Sequence, residues 1–536
     1  MNEPHSSNPE FDRSNLITYV ENAKQRFMFH YGPAFRYENL PVGTRVIYPP
    51  PPIPGISNLD QAIDEVIENP VGSEPLSSLL RPGMRVTIAF DDISLPLPPM
   101  KAPDVRKRII EIIIKKLHSH RVEDIHLISA LGLHRRMTPG EIKHQVGAKV
   151  FKEFYPKRLY NHDAEDRQNL VNLGRTSKGE DVEISRRVAE SDLLIYVNVN
   201  LVSMDGGHKS INTGLVTYKS LRNHHNVDTL MHSKSYMDPP NSALHHSNDR
   251  MGELLEQNVK VFKIETTLNT NMFPFFLRHL QKPESQWNQV EKVFFGVNRF
   301  GMDHLPFSLR NKIFQGIKAP YGVTGIAAGQ TDKVHEHTLH NVFRQQAIQV
   351  EGQADILVTG LPYLGPYNVN SIMNPILVHV QMLGYIFNLY RGKPLVRNGG
   401  VLIFTHPLEN RFHPVHHPSY IDFYENVLSK TRNPAEIERE FEEDFATNQR
   451  YIDLYRFSYA YHGVHPFYMW YWACYGQQYL GQVIVVGAKD PAVAKRLGYE
   501  IAPNMESALE MAKDVVGPNP EITAFHYPPI FVCDVK

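Results

Sequence analysis

Three short segments carry residue types that can do chemistry, and each follows a stretch that reads as a β-strand. The first is Phe90-Asp91-Asp92-Ile93-Ser94-Leu95-Pro96. Paired carboxylates beside a hydroxyl can hold protons or polar ligands, and the same residue types also cap backbone in a proline-rich loop. The second is Ala130-Leu131-Gly132-Leu133-His134-Arg135-Arg136, where His134 offers a proton that moves near neutral pH. A single histidine ahead of a capped helix is more often structural than catalytic. The third is Met204-Asp205-Gly206-Gly207-His208-Lys209-Ser210, which runs on through Gly214 to Asn223-His224-His225. Two glycines let the backbone approach a bound group closely. A lysine behind them can be a point charge for phosphate or a covalent attachment point. The spacing is not that of a P-loop. Residue types alone leave a phosphate-binding turn and a flexible surface turn both open.

The elements around these segments alternate. Short apolar runs with β-branched residues at 84–90, 124–130, 193–199 and 259–265 read as buried strands. Helical spacing appears at 59–69 and 104–119, and Thr138-Pro139-Gly140-Glu141 has capping-box spacing with proline at the first helical position. After the polar segment 281–290, strands are expected at 293–297, 355–359, 401–405 and 483–487, and helices at 335–350, 374–391, 419–430 and 505–514. The pattern predicts an α/β protein of two domains, each a largely parallel sheet flanked by helices, with an active site in the interdomain cleft. The expected divisions are a polar N-terminal extension at 1–44, an N-terminal cofactor-binding domain at 45–285 and a C-terminal domain at 290–536.

Composition narrows the functional classes. Lys plus Arg total 56 and Asp plus Glu total 57, so there is no global pull toward nucleic acid or an anionic membrane. Two cysteines, Cys474 and Cys533, exclude a disulfide framework. The polar, acidic start is not a secretory signal, and no stretch reaches the roughly 18 apolar residues of a spanning helix. A cytoplasmic location is therefore the expectation. The 27 histidines favour metal chemistry without locating it.

Taken together, the three segments resemble the nickel-pincer lactate racemase family, whose members carry an Asp-Asp…Pro loop, a Gly-x-His-Arg loop and a Gly-Gly-x-Lys…His stretch in this order. The likeness continues through 354–360, Gly365-Pro366-Tyr367-Asn368-Val369-Asn370 and Gly399-Gly400, and spans roughly residues 45–520. It implies a nickel cofactor, a pyridinium-derived pincer mononucleotide attached to Lys209, with His225 as the protein's nickel ligand and His224 competing for that role. It places Asp92, Ser94, Gly206, Gly207 and Ser210 beside the cofactor and makes His134 an acid/base residue. The implied reaction is racemisation or epimerisation by hydride abstraction and return at a hydroxyl-bearing carbon of a small-molecule substrate.

The departures fall at substrate positions. Leu95 stands where the family has an arginine, Val199 where it has a second acid/base histidine, and Ile372, Met373 and Ile376 replace a polar cluster. Leucine cannot clamp a carboxylate with two parallel hydrogen bonds. The expectation is a 2-hydroxy acid other than lactate, or another secondary alcohol. The loop 406–418, with His406, His413, His416 and His417, is a candidate source of replacement groups, and the aromatic clusters 272–276 and 467–476 are candidate walls of a larger pocket. Three alternatives stay open: a cofactor carrier without turnover, a one-sided internal redox enzyme, and a pyridoxal phosphate Schiff base on Lys209.

Overall fold

The computed structural model describes residues 16–527 and 529–536. Four strands come first: β1 (Ile17–Tyr19), β2 (Arg26–Gly32), β3 (Ala34–Asn39) and β4 (Arg45–Ile47). The segment expected as a polar extension is therefore folded from residue 17 onward, and residues 1–15 lie outside the described residues. Its apolar positions explain the difference, since Phe27, Met28, Phe29, Val46 and Ile47 are all buried.

Helix α1 (Leu59–Glu68) leads into a parallel sheet built from β5 (Arg85–Asp91), α2 (Val105–Ser119), β6 (Asp124–Ala130), α3 (Pro139–Phe154), β7 (Leu159–Asn161) and β8 (Leu193–Asn200). Helices α4 (Gly207–Gly214) and α5 (Ala243–Glu256) follow, then β9 (Val261–Leu268). Ile88, Leu127, Ile195 and Ile264, one from each of four neighbouring strands, are fully buried, as expected for a sheet covered on both faces. The register pairs Asp91 with Ala130 and Phe90 with Val197. That brings the carboxyl ends of β5, β6 and β8, and the three chemical segments that follow them, to one edge. Ligands of such sheets bind there.

The chain then departs from the expected division. Residues 293–297, read as a strand, lie inside α6 (Gln289–His304), which is followed by α7 (Phe307–Gly316). A short apolar run cannot be told from a helical segment by periodicity. The deciding signal was the capping box of Asn288 and Glu291, whose reciprocal bonds are both 2.9 Å. Strand β10 (Val323–Gly329) pairs antiparallel with β9, and α8 (Thr331–Gln346) packs on the same sheet, which runs β10-β9-β8-β5-β6-β7. The first body thus continues well past residue 290.

The second body is a parallel sheet of β11 (Ala354–Pro362), β12 (Val396–Thr405), β13 (Gln482–Val486), β14 (Glu500–Ala502) and β15 (Ile522–Phe525), ordered β1-β4-β15-β11-β12-β13-β14. The strands before residue 48 belong here, with β4 parallel to β15 and β2 parallel to the end of β11. The two bodies together realise the expected two-domain α/β architecture. Among the described residues no helix is long and apolar enough to cross a membrane.

Candidate functional site

Arg106 organises the first loop. Fully buried and paired with Asp104 at 2.7 Å, it donates through Nη1 to the carbonyls of Asp91, Asp92 and Leu95. The loop therefore leaves β5 with both carboxyls turned to the sheet edge. Asp91 accepts from the Val199 backbone at 2.7 Å, Asn198 at 2.8 Å and Tyr196 at 3.1 Å. Burial outweighs these donors and pushes its carboxyl up to about 6. Asp92 accepts from the Ser94 backbone at 3.0 Å and from His134 Nδ1 at 2.8 Å. Burial would raise this carboxyl, but the His134 charge and the His134 and Ser94 hydrogen bonds more than offset it and hold it below its usual range. In its neutral form His134 donates from Nδ1 to Asp92, which leaves Nε2 as the acceptor.

The third segment is shaped by glycine and a buried charge pair. Gly206 has φ 93°, and a Cβ there would lie 2.5 Å from Asn200 Nδ2 and 2.8 Å from Glu265 Oε1, so only glycine fits. Glu265 accepts from the Gly207 backbone at 2.6 Å and from Thr338 at 2.6 Å, with Lys263 and His335 alongside at 3.6 and 3.2 Å. Burial would raise Glu265, but the charge and hydrogen bond of His335, then the Lys263 charge, lower it to about 2. This fixed anion anchors the start of α4, whose first turn carries Lys209. The Lys209 amine has no hydrogen bond or ion pair among the described residues, and burial lowers its pKa against the weaker pull of Asp205 and Asp91.

Further along, His224 Nε2 lies 3.1 Å from the Asn212 carbonyl and His225 Nδ1 lies 2.8 Å from His224 Nδ1. A carbonyl only accepts, so His224 carries its proton on Nε2, and its bare Nδ1 must receive the proton of His225 Nδ1. The relay leaves Nε2 of His225 without a proton, which is the form that ligates a metal. Burial keeps both rings neutral, His224 down at about 4 and His225 well below the usual range.

These groups meet in one cavity of about 240 Å³ between the two bodies. Asp92, Ser94, His134, Gly206, Lys209, Ser210 and His225 all line it. Gly207 does not; its space is closed by His335, and its backbone N–H goes to Glu265. His224 stands behind His225 as its orienting partner. Of the substituted positions, Leu95 lines the cavity, whereas Val199, Ile372, Met373 and Ile376 do not.

The histidine loop does not supply replacement groups. His406, His413, His416 and His417 lie outside the cavity: His416 bonds Ser371 at 2.8 Å, His417 is held by Asn374 at 3.2 Å, and His406 accepts from the Leu408 backbone. The expectation that aromatic clusters line the site holds for Met272, Tyr468, Met469 and Trp472, but Phe275 and Phe276 face solvent.

The second body contributes Tyr367, from the segment already singled out, and residues the sequence reading passed over, chiefly Gln381, Tyr385 and His465. His465 starts α9 (His465–Trp472) and sits 5.3 Å from His134 between ring centroids. Docking is fixed by Arg135, which grips Glu141 at 2.7 and 3.1 Å and the Val369 carbonyl at 3.0 Å. Glu141 in turn closes the expected capping box with Thr138 and accepts from Asn370 at 2.8 Å.

Residues 36–238 match the lactate racemase N-terminal domain family. A lactate racemase of Lactiplantibacillus plantarum is 25% identical over 180 residues, covering 33% of this chain and 40% of that protein. One from Thermoanaerobacterium thermosaccharolyticum is 22% identical over 175 residues, covering 31% and 38%. The matched segment thus spans about two-fifths of each relative's length. The fold likeness reaches further. The lactate racemase apoprotein of Thermoanaerobacterium thermosaccharolyticum superposes with a TM-score of 0.62 at 15% identity, over 95% of this chain and 99% of the other. A Thermotoga maritima protein gives 0.52 at 13% identity, over 90% and 100%. The chain is therefore lactate racemase-like: residues 36–238 match the lactate racemase N-terminal domain family, and the two-body fold is similar to that of the lactate racemase apoprotein.

Proposed function

We propose that this protein is a racemase or epimerase acting at a hydroxyl-bearing carbon, with a nickel-pincer mononucleotide held by Lys209 and His225. The observation that carries the reading is the convergence of two groups on one cavity: a desolvated amine without a partner, and an imidazole nitrogen that a two-histidine relay keeps bare. The donor set fits a bound group better than a bare ion. Among the described residues, no group of three or more His, Cys, Asp or Glu side chains could hold a metal. A single imidazole needs its remaining donors from the ligand, and soft sulfur with imidazole suits nickel.

When bound, the group would accept hydride from the substrate carbon and return it. The protein does the rest. His134 Nε2 takes the hydroxyl proton, and Asp92, 2.8 Å behind its Nδ1, orients the ring and stabilises the imidazolium that forms. The apolar cleft excludes water from the reacting carbon. Asp91, Asp92 and Asp205 line the cavity with Lys209 as their sole cationic neighbour there apart from histidine. A small carboxylate would be buried beside three aspartates, a cost of several kcal/mol, on the order of 2–7 for an unpaired polar group and more for a charge. The substrate is accordingly a hydroxylated molecule other than lactate.

Intact-mass and metal analysis of protein co-expressed with a pincer-making pathway tests this. The expected result is a covalent mass gain with bound nickel, both lost in Lys209→Ala, while His225→Ala keeps the mass and loses the nickel. No mass gain, or a gain that survives Lys209→Ala, refutes the reading. Rapid racemisation of L-lactate by the loaded protein would refute the substrate assignment alone.

A further inference from the structure

His465 is the cavity residue that this reading leaves without a task. Its Nδ1 meets the Tyr420 hydroxyl at 2.6 Å, and its Nε2 is buried without a hydrogen-bond partner among the described residues. Tyr420 is fully buried and its hydroxyl has no other partner there. The phenol proton therefore goes to Nδ1, and the ring proton sits on Nε2, which is buried and unpaired beside the cavity. A donor buried in this way is costly until a ligand accepts from it. Tyr468 and Trp472, on the same helix face at i+3 and i+7, also present unpartnered polar atoms and line the same cavity.

His134 has the complementary character, with its proton on Nδ1 and a bare Nε2. The two ring centroids are 5.3 Å apart, and the Tyr367 ring packs on both, at 5.1 and 4.9 Å. Both residues line the same cavity, so one hydroxyl oxygen bound there can face both rings.

We propose that His465 is a catalytic residue of this site, donating its Nε2–H to the same substrate oxygen whose proton His134 takes. This rests on the racemase reading. The oxygen is pinned by one residue from each body, and the charge that builds on it as its proton leaves meets a fixed donor. His465 polarises and does not transfer, because loss of its proton would leave an imidazolate; His134 alone takes and returns the proton. Inversion then needs no second base on the opposite face. With the oxygen held, the other substituents swing about the C–O axis against apolar walls such as Leu95, Leu97, Leu131 and Met204.

Full-length protein labelled with 15N-histidine reads both rings. His465 is expected to carry its proton on Nε2 and His134 on Nδ1. Titration with 1-phenylethanol, an uncharged secondary alcohol, is expected to shift both Nε2 signals along one binding curve. His465→Phe weakens that curve by about tenfold, and His465→Gln, which keeps an N–H donor, by less than about threefold. An unprotonated His465 Nε2, an alcohol that moves His134 alone, no response from either ring, or equal losses in both variants overturns the proposal. Mass gain at Lys209 does not involve His465. A protein that loads its cofactor with His465 silent therefore defeats this inference and leaves the racemase reading standing, whereas failure to load defeats the reading itself.

Discussion

His208, one residue before Lys209, ties three helices together by charge, and its removal should make stability depend less on pH. The ring is 2% exposed, with Nδ1 3.4 Å from Asp249 and from Asp332 and Nε2 3.4 Å from Glu256. Burial opposes the charged ring, but the bonds to Asp249 and Glu256 and the Asp332 charge prevail and raise its pKa from 6.5 to about 9. A histidine raised in the folded state stabilises fully below its unfolded pKa, and that contribution is lost as pH climbs through the folded value. At about 1.36 kcal/mol per pH unit the difference comes to about 3 kcal/mol. Asp249 and Asp332 are 55% and 62% exposed, so screening at ordinary salt reduces the effect to about 2 kcal/mol. His208→Gln should therefore melt about 4–8 °C below wild type at pH 6, and the gap should close by that 2 kcal/mol as pH rises to 10. Thermal unfolding of both proteins across that range measures it. A gap that stays constant, or widens toward pH 10, would show that the three carboxylates do not hold the ring charged.

Other perturbations probe the neighbouring devices. Gly206→Ala forces a side chain into a left-handed backbone against Asn200 and Glu265, and should cost about 2–4 kcal/mol by thermal or denaturant unfolding. Arg106→Met strands the buried carboxyl of Asp104 and frees the carbonyls of Asp91, Asp92 and Leu95; a loss of about 3–5 kcal/mol is expected, with the His134 ring signal moving as its Asp92 partner shifts. Burial favours the neutral amine of Lys209, so cyanate at pH 8 should carbamylate it ahead of the surface lysines. Peptide mapping reads the order of labelling, and a Lys209 that reacts last would contradict its placement in an accessible, desolvated site.

The parts of the site carried by one sheet edge were legible in the sequence. Buried parallel strands announce themselves as apolar runs, and polar segments directly behind them are forced to the carboxyl edge, which is why Asp92, His134 and Lys209 were found. Tautomers were not legible: the choice between His224 and His225 turns on the Asn212 carbonyl, which no spacing reveals. His465 was hidden because it reaches the cavity from the other body, more than two hundred residues away, just ahead of a run, 467–476, whose aromatic content reads as core. The stretch 293–297 failed for a different reason. Its Phe295 is buried while Val293 and Val297 face solvent, a helical pattern too short to see without its cap.

The second sheet is stitched from segments far apart in the sequence: β4 lies beside β15, with Val46 opposite Ala524. During synthesis the early strand emerges first and waits for its neighbour, Val46 for Ala524, until 478 further residues have been made. The first body, whose sheet is contiguous from β5 to β10, can assemble in the meantime and present its half of the cleft. The His465 side of the cleft belongs to a body that closes last, so a ribosome-bound chain lacking residues 522–525 should hold the Lys209 turn in a folded body while the wall opposite it is still unformed.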